Sequence, residues 1–330
     1  MVTISDVAKE AGVSLSTASR ALNNSSLVSA EKKEKVLEAV KKLGYRPIRL
    51  SAVRKAQQDK IIVVITRMLN RDMLDAIRET ADELGYQMAI SYAGESCDGG
   101  YQSALELIKI LPQHMIGGLI FIHNECRDEK IWKELSAYPM VQVGESKEVS
   151  PLRSISIDDR AAAYDMTSYL IKQGYRRIAY VRSDNDDRFS YGKPRLKGYC
   201  EALEDAGIEV DKSLILDAGY ILDGGSDVAK DIVKMKNRPD VVFCGSDYMA
   251  VGCLAELERQ GIRVPEDIAV CGFDNHEVTE YCQPSLTTVG QPYGEMGSEA
   301  VRMLDMICSG AIASGRKMLA EHTIIVREST

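Results

Sequence analysis

Short apolar runs alternate with stretches of helical periodicity through most of this chain of 330 residues. The runs are IIVVIT (61–66), QMAISYA (87–93), GGLIFI (117–122), MVQVG (140–144), RIAYVR (177–182), LILDA (214–218), VVFCG (241–245), IAVCGF (268–273) and TIIVRE (323–328). Between them, residues 72–84, 99–111, 159–173, 194–206, 225–236, 247–260 and 293–309 read as helices, with Gly85, Gly174, Gly207 and Gly261 as stops. Near-continuous apolar strands separated by helices imply parallel α/β sheets. The residues after Lys60 exceed what one core ordinarily holds, so two doubly wound lobes are expected rather than one sheet.

The first 60 residues follow a different rule. Ser5 and Asp6 can cap a helix starting near Val7, and Val7, Ala8 and Ala11 sit at helical spacing. Gly12 can take the left-handed backbone that ends it. Val13 plugs a small core, and Ser14 or Ser16 caps a second helix, Thr17 to Asn23, with Ala18, Ala21 and Leu22 inward. That is a helix-turn-helix. Its outward face offers Leu15, Ser16, Thr17, Ser19, Arg20 and Asn23, with no acid among them. Short side chains let a helix sit deep in a major groove; arginine can bond guanine O6 and N7, and hydroxyls or amides suit phosphate oxygens. A third helix begins at the cap Ser29, buries Val36, Val40 and Leu43, and closes at Gly44; its lysines alternate with Glu31, Glu34 and Glu38 as an ordinary solvated face.

Charge divides along the same line. Residues 1–60 hold twelve Lys and Arg against six Asp and Glu, while the rest hold 29 against 43. A basic head on an acidic body suggests that the head meets a polyanion.

The stretch "TISDVAKEAGVSLSTASRALNN…VSAEKKEKVLEAVKKLGYRP" resembles, without gaps from Thr3 to Pro47, the DNA-binding head of the lactose-repressor (LacI/GalR) family. The resemblance implies that Leu15, Ser16 and Arg20 face base edges and that Ser14, Thr17, Ser19 and Asn23 approach the backbone. It also makes "RPIRLSAVRKAQQDK" (46–60) a hinge that folds when two copies meet over the minor groove, where a leucine wedges between base pairs. Here Arg54 holds the usual leucine position, so Val53 or Leu50 is the wedge, or the hinge contributes little. A hinge that stays flexible would tolerate varied half-site spacing, which operator footprints would reveal.

The body resembles the same family through "SDYMAVG", "RQGIRVPEDIAVCGFDN" and "PSLTTVGQP". The implied fold is an all-α helix-turn-helix head (1–46), a hinge (47–60), and an α/β core with periplasmic-binding-protein architecture. Its two doubly wound lobes span 61–160 plus 291–322 and 161–290 plus 323–330, with crossings near 158–162, 289–292 and 321–324. Ligands bind such folds at the carboxyl ends of strands. Arg195, in "KPRLKGY", matches the family's ligand arginine, although it could be a surface helix residue. Asp247 and Asp274 follow strands and suit sugar or ribose hydroxyls, although either could simply cap a helix. Tyr220 offers a ring face or a core contact, and Gln291 sits at a crossing. In the first lobe, "TRMLNRDMLDAI" is one residue shorter than the family's usual segment and lacks its aromatics; Asn70, Arg71, Asp72 and Met73 stand there instead.

Other chemistries lack their motifs. There is no G-x-G-x-x-G, Walker A, H-E-x-x-H or G-x-S-x-G pattern, so no enzyme and no cofactor is expected. His276, Glu277 and Glu280 in "DNHEVTE" read as a polar cleft loop rather than a metal site. The eight cysteines form no Cys-x-x-Cys pair and read as reduced core thiols. No apolar leader or membrane span is recognisable, so a cytoplasmic protein is expected. The expectation is a homodimeric, sequence-specific regulator, a repressor, binding double-stranded operator DNA under control of a sugar or sugar derivative. Residues 240–293 are similar to a nucleoside-responsive repressor of that family, which keeps a nucleoside effector open; a ligand-binding module without DNA function is the other alternative.

Overall fold

A computed structural model describes residues 4–14, 17–18, 21, 30–43, 60–66, 69–92, 99–122, 129–144, 152–183, 191–219, 222–311 and 317–330. The chain divides into two units, Met1–Asp59 and Lys60–Thr330. In the head unit, α1 (Ile4–Glu10) and α2 (Ala30–Leu43) flank a helical segment containing Thr17, Ala18 and Ala21. Val7, Ala8, Ala18, Ala21, Val36 and Ala39 form its core, with Ala11, Val13 and Val40 packed against them. Gly12 takes φ 64°, and the Val13 N–H returns to the Ala8 carbonyl at 3.0 Å, so the glycine stop after α1 is real. Lys42 of α2 pairs with Glu10 of α1, so this lysine tethers two helices rather than joining pairs along its own.

The second unit runs β1 (Ile61–Thr66), α3 (Arg71–Glu83), β2 (Gln87–Tyr92), α4 (Gly99–Ile110), β3 (Ile116–Ile122), α5 (Glu129–Leu135), β4 (Met140–Val143) and β5 (Arg153–Ser156). It continues with α6 (Asp159–Lys172), β6 (Ile178–Ser183), α7 (Gly192–Asp205), β7 (Ile215–Ala218), α8 (Leu222–Lys234), β8 (Val241–Cys244) and α9 (Asp247–Arg259). The last elements are β9 (Ala269–Asp274), α10 (Val278–Tyr281), β10 (Thr287–Gly290), α11 (Tyr293–Cys308), β11 (Lys317–Leu319) and β12 (Thr323–Ile325).

Two six-stranded sheets result, ordered β11-β5-β4-β3-β1-β2 and β12-β10-β9-β8-β6-β7. Every pairing is parallel except β10 with β12. The central strands β3 and β8 are apolar throughout and buried along their whole length. The chain passes between the sheets at 157–158, 291–292 and 320–322. Five short elements, β5, β10, β11, α5 and α10, lie outside the apolar runs and helical repeats of the sequence. β5 (RSIS) and β10 (TTVG) bury Ser154, Ser156, Thr287 and Thr288, so their burial has no hydrophobic signature.

Helix pairs around the second sheet approach closely. A Cβ on Gly225 of α8 would overlap the Met249 carbonyl oxygen of α9, and one on Gly252 would overlap the Leu222 carbonyl. Backbone cannot yield as a flexible side chain does, so the two helices would have to separate. Gly225→Ala is expected to cost about 1–3 kcal/mol. Urea unfolding should show a lower midpoint at unchanged slope; a midpoint equal to the parent's would mean that the helices slide apart freely.

Candidate functional site

The carboxyl ends of β6, β8 and β9 meet the start of α7 and the crossing at 291–292, and there a guanidinium lies buried. Arg195, in the first turns of α7, is 4% exposed. Its Nε donates to Asp159 Oδ1 at 2.6 Å and its Nη1 to the Gly245 carbonyl at 2.7 Å, while Nη2 lies 3.6 Å from Asp274 Oδ1. The Phe273 ring lies 3.5 Å from the guanidinium carbon and the Tyr191 ring 4.6 Å. Burial opposes the charge, but Asp159 and Asp274 more than restore it and raise the Arg195 pKa, so the guanidinium stays protonated.

Asp274 closes β9 with φ 118°, and Asn275 follows at φ 58°. Two successive left-handed residues that are not glycine are costly and turn the chain sharply. The turn brings the His276 N–H to Asp247 Oδ2 at 2.7 Å. Gln291 Nε2 donates to Asp274 Oδ1 at 2.8 Å across the crossing. The His276 ring lies 4.9 Å from Tyr248 and 5.9 Å from Tyr293, and its Nε2 is 3.7 Å from Asp274 Oδ2.

Asp247 does not cap α9. Ser246 does, its Oγ accepting from the Met249 N–H. Nor does Asp274 cap α10, whose first turn has no side-chain cap. Asp247 is instead fully buried, and its Oδ1 accepts from Thr288 Oγ1 at 2.6 Å. A Cβ at residue 272 would overlap that oxygen, which is why glycine stands there. Burial raises the Asp247 pKa well above 3.8, and Asp274 adds to the rise; Thr288 Oγ1, the His276 N–H and Arg327 pull the other way. A carboxyl whose folded pKa lies above its unfolded one binds more protons when folded. Its contribution is therefore full below the unfolded value and declines as pH rises through the folded one. Asp247→Asn should flatten this decline in a series of melting curves taken above pH 4. A variant with the parental slope would remove Asp247 as its source.

Four of the five ligand residues expected from sequence, Arg195, Asp247, Asp274 and Gln291, thus converge, and Arg195 is no surface residue. Tyr220 lies outside the described residues. Asp159, Phe273, Thr288 and Tyr191 join them unforeseen, and His276 joins them from the loop read as a polar cleft loop. The doublet Asp158-Asp159 held a signal: Asp158 caps α6 through the Ala161 N–H, which leaves the second acid spare at a crossing. A pocket of about 200 Å³, including its open mouth, adjoins Arg195 and is lined by Tyr180, Arg182, Ser183, Tyr191 and Met249 among others. Beside the first sheet, Asn70 caps α3 through the Met73 N–H and Met73 is buried in the core, while Arg71 reaches toward Asp75. Glu280 in the "DNHEVTE" loop pairs with Arg327 at 3.2 Å. Among the described residues, no group of three or more His, Cys, Asp or Glu could hold a metal ion. No helix among them is long and apolar enough to cross a membrane.

In the head, Ser14 is the cap of the second helix: its Oγ accepts from the Thr17 N–H at 3.2 Å and meets Thr17 Oγ1 at 2.8 Å. Leu15, Ser16, Ser19, Arg20, Asn23, Val53 and Arg54 lie outside the described residues.

Comparison with known proteins places this geometry. Residues 3–47 match the family described as bacterial regulatory proteins, lacI family, and residues 167–330 match the periplasmic binding protein-like domain. The HTH-type transcriptional repressor CytR of Escherichia coli (strain K12) is 32% identical over 334 residues, covering 99% of this chain and 96% of that protein. Among solved structures, the lac repressor dimer bound to operator and the anti-inducer ONPF superposes with a TM-score of 0.77 at 25% identity, covering 99% of this chain and 98% of that one. The transcriptional regulator CelR–cellobiose complex superposes at 0.72 with 28% identity over 100% of both chains. The chain belongs to the lacI family of bacterial regulatory proteins and is a DNA-binding transcriptional regulator.

Proposed function

We propose that this regulator is a cytoplasmic repressor that binds a near-palindromic operator as a homodimer and changes its operator affinity when a hydroxyl-rich small molecule enters the interlobe cleft. The observation that carries the proposal is the convergence of Arg195, Asp247, Asp274 and Gln291 at strand carboxyl ends beside a crossing. Carboxylates and an amide held in this way are fitted to sugar hydroxyls. The cellobiose named with the related CelR structure supports a sugar or sugar derivative. A nucleoside is the second reading, supported by the rings of Tyr248, His276 and Tyr293, which offer stacking faces beside Asp274.

In this proposal the lobes span 61–160 plus 291–322 and 161–290 plus 323–330, and residues 47–60 form the hinge. Leu15, Ser16 and Arg20 reach base edges; Ser14, Thr17, Ser19 and Asn23 meet phosphates; Val53 and Arg54 lie over the minor groove. Control of DNA by ligand requires that the two prefer different lobe arrangements. A thermal-shift screen of the purified chain against sugars and nucleosides tests the cleft, since ligand at 100 times its Kd adds about 2.7 kcal/mol of stability. Operator binding with and without the hit then gives the sign of regulation. A ligand that stabilises the chain yet leaves operator affinity unchanged would sink the allosteric half of the proposal.

A further inference from the structure

We propose that the cleft selects against negative charge: its effector is a hydroxyl-rich molecule, uncharged or bearing an ammonium group, and not a phosphate ester or a carboxylate. This rests on the cleft-effector reading above and adds the ligand's charge class to it. Three carboxylates, those of Asp159, Asp247 and Asp274, are buried around one buried guanidinium. Arg195 is the group that an anion would seek, yet its Nε and Nη1 already donate to Asp159 and the Gly245 carbonyl, and its Nη2 faces Asp274 Oδ1 at 3.6 Å. The second arginine lining the pocket, Arg182, is paired with Asp217 through both carboxylate oxygens at 2.6 and 3.4 Å.

Arg327 is bonded to Asn275, the Leu286 carbonyl and Glu280. Lys317 is exposed at the start of β11. Each guanidinium at the pocket is thus already matched by a carboxylate, Arg195 by Asp159 and Arg182 by Asp217, and Asp274 stands beside the first pair. Arg195 and the three aspartates around it are buried, so a like charge brought beside them is screened less than at a surface. An incoming anion would have to displace an aspartate from a guanidinium and leave that aspartate without its partner. A hydroxyl, by contrast, can donate to Asp274 with no partner lost, and an ammonium can do so with its charge complemented.

The full-length chain is tested by calorimetric titration against parent and charged forms of the same scaffolds. The probes are glucose, galactose, ribose, cellobiose, cytidine and adenosine, each hexose, pentose and nucleoside beside its monophosphate, with glucosamine and galactosamine added. The parent or amino form should bind at least ten-fold more tightly than the phosphate. Two variants check the cause. Asp274→Asn removes one buried negative charge, and Asp217→Asn removes the exposed partner of Arg182 without threatening the core. Each should lower the phosphate-to-parent Kd ratio several-fold. A phosphate ester that binds the parent chain as tightly as its unphosphorylated form overturns the charge preference and leaves the cleft-effector reading standing. A ratio unchanged in both variants overturns the electrostatic cause. No binding by any probe overturns the preference and the cleft-effector reading together, while operator binding would be untouched.

Discussion

Arg195→Met lowers the stability of the sensor unit by about 3–5 kcal/mol, the usual consequence of leaving a buried charge unpartnered. For a unit of this size that is a fall in melting temperature of roughly 6–20 °C. The loss has three parts. Asp159 Oδ1 loses its 2.6 Å bond, the Gly245 carbonyl loses its donor, and Asp274 loses the cation beside it. Methionine fills much the same volume between Phe273 and Tyr191, so cavity formation adds little. The double substitution Arg195→Met with Asp159→Leu should recover most of the stability, because a whole buried pair can be replaced by apolar groups at small cost. Effector binding should not return with it. Recovery of both would show that the pair is structural alone; recovery of neither would show that Asp274 and Gly245 carry the penalty.

Operator affinity falls by about 10³–10⁵ between 50 and 200 mM salt if the regulator makes six to ten phosphate contacts. The first 60 residues carry twelve cationic and six acidic side chains, and the remaining body carries an excess of acids. At physiological salt the body's repulsion is screened within about 8 Å, so the steepness reports the heads. Arg20→Ala should behave differently from removal of a phosphate contact. It is expected to reduce discrimination between operator and mutated operator by about 1–3 kcal/mol, whereas loss of a phosphate contact weakens binding to both DNAs alike and lowers the salt slope by about one. Filter binding on both DNAs across a salt series measures the two effects separately. A loss of less than ten-fold over that range would mean few phosphate contacts and would remove the electrostatic account of head binding.

The fold was legible in sequence where chemistry and burial agree. The nine apolar runs all contain strands, and the seven helical repeats all contain helices, because packing of Val, Ile and Ala rows leaves a period to read. β5 and β10 were not legible, since serine and threonine fill buried positions there and their burial is satisfied by bonds such as Thr288 to Asp247. At the site, Arg195, Asp247, Asp274 and Gln291 stood out by type and by resemblance. Asp159 did not, because it enters the site from a distant stretch and only the crossing before α6 brings it to Arg195. The alternative reading of Asp247 as a helix cap was reasonable from spacing alone; one residue earlier, Ser246 fills that role and frees the carboxylate.

The two sheets share a dependence that their order along the chain makes plain. β11 is an edge of one and β12 an edge of the other, and both come from residues 317–325. During synthesis, ten strands emerge before either sheet can be completed, and then a single short stretch finishes both. Growing chains lengthen at about 5–20 residues per second, so the first lobe's strands wait many seconds with an open edge while the second lobe is made. An interruption of translation just before Lys317 would therefore damage both lobes at once, rather than spare the one whose strands were made first.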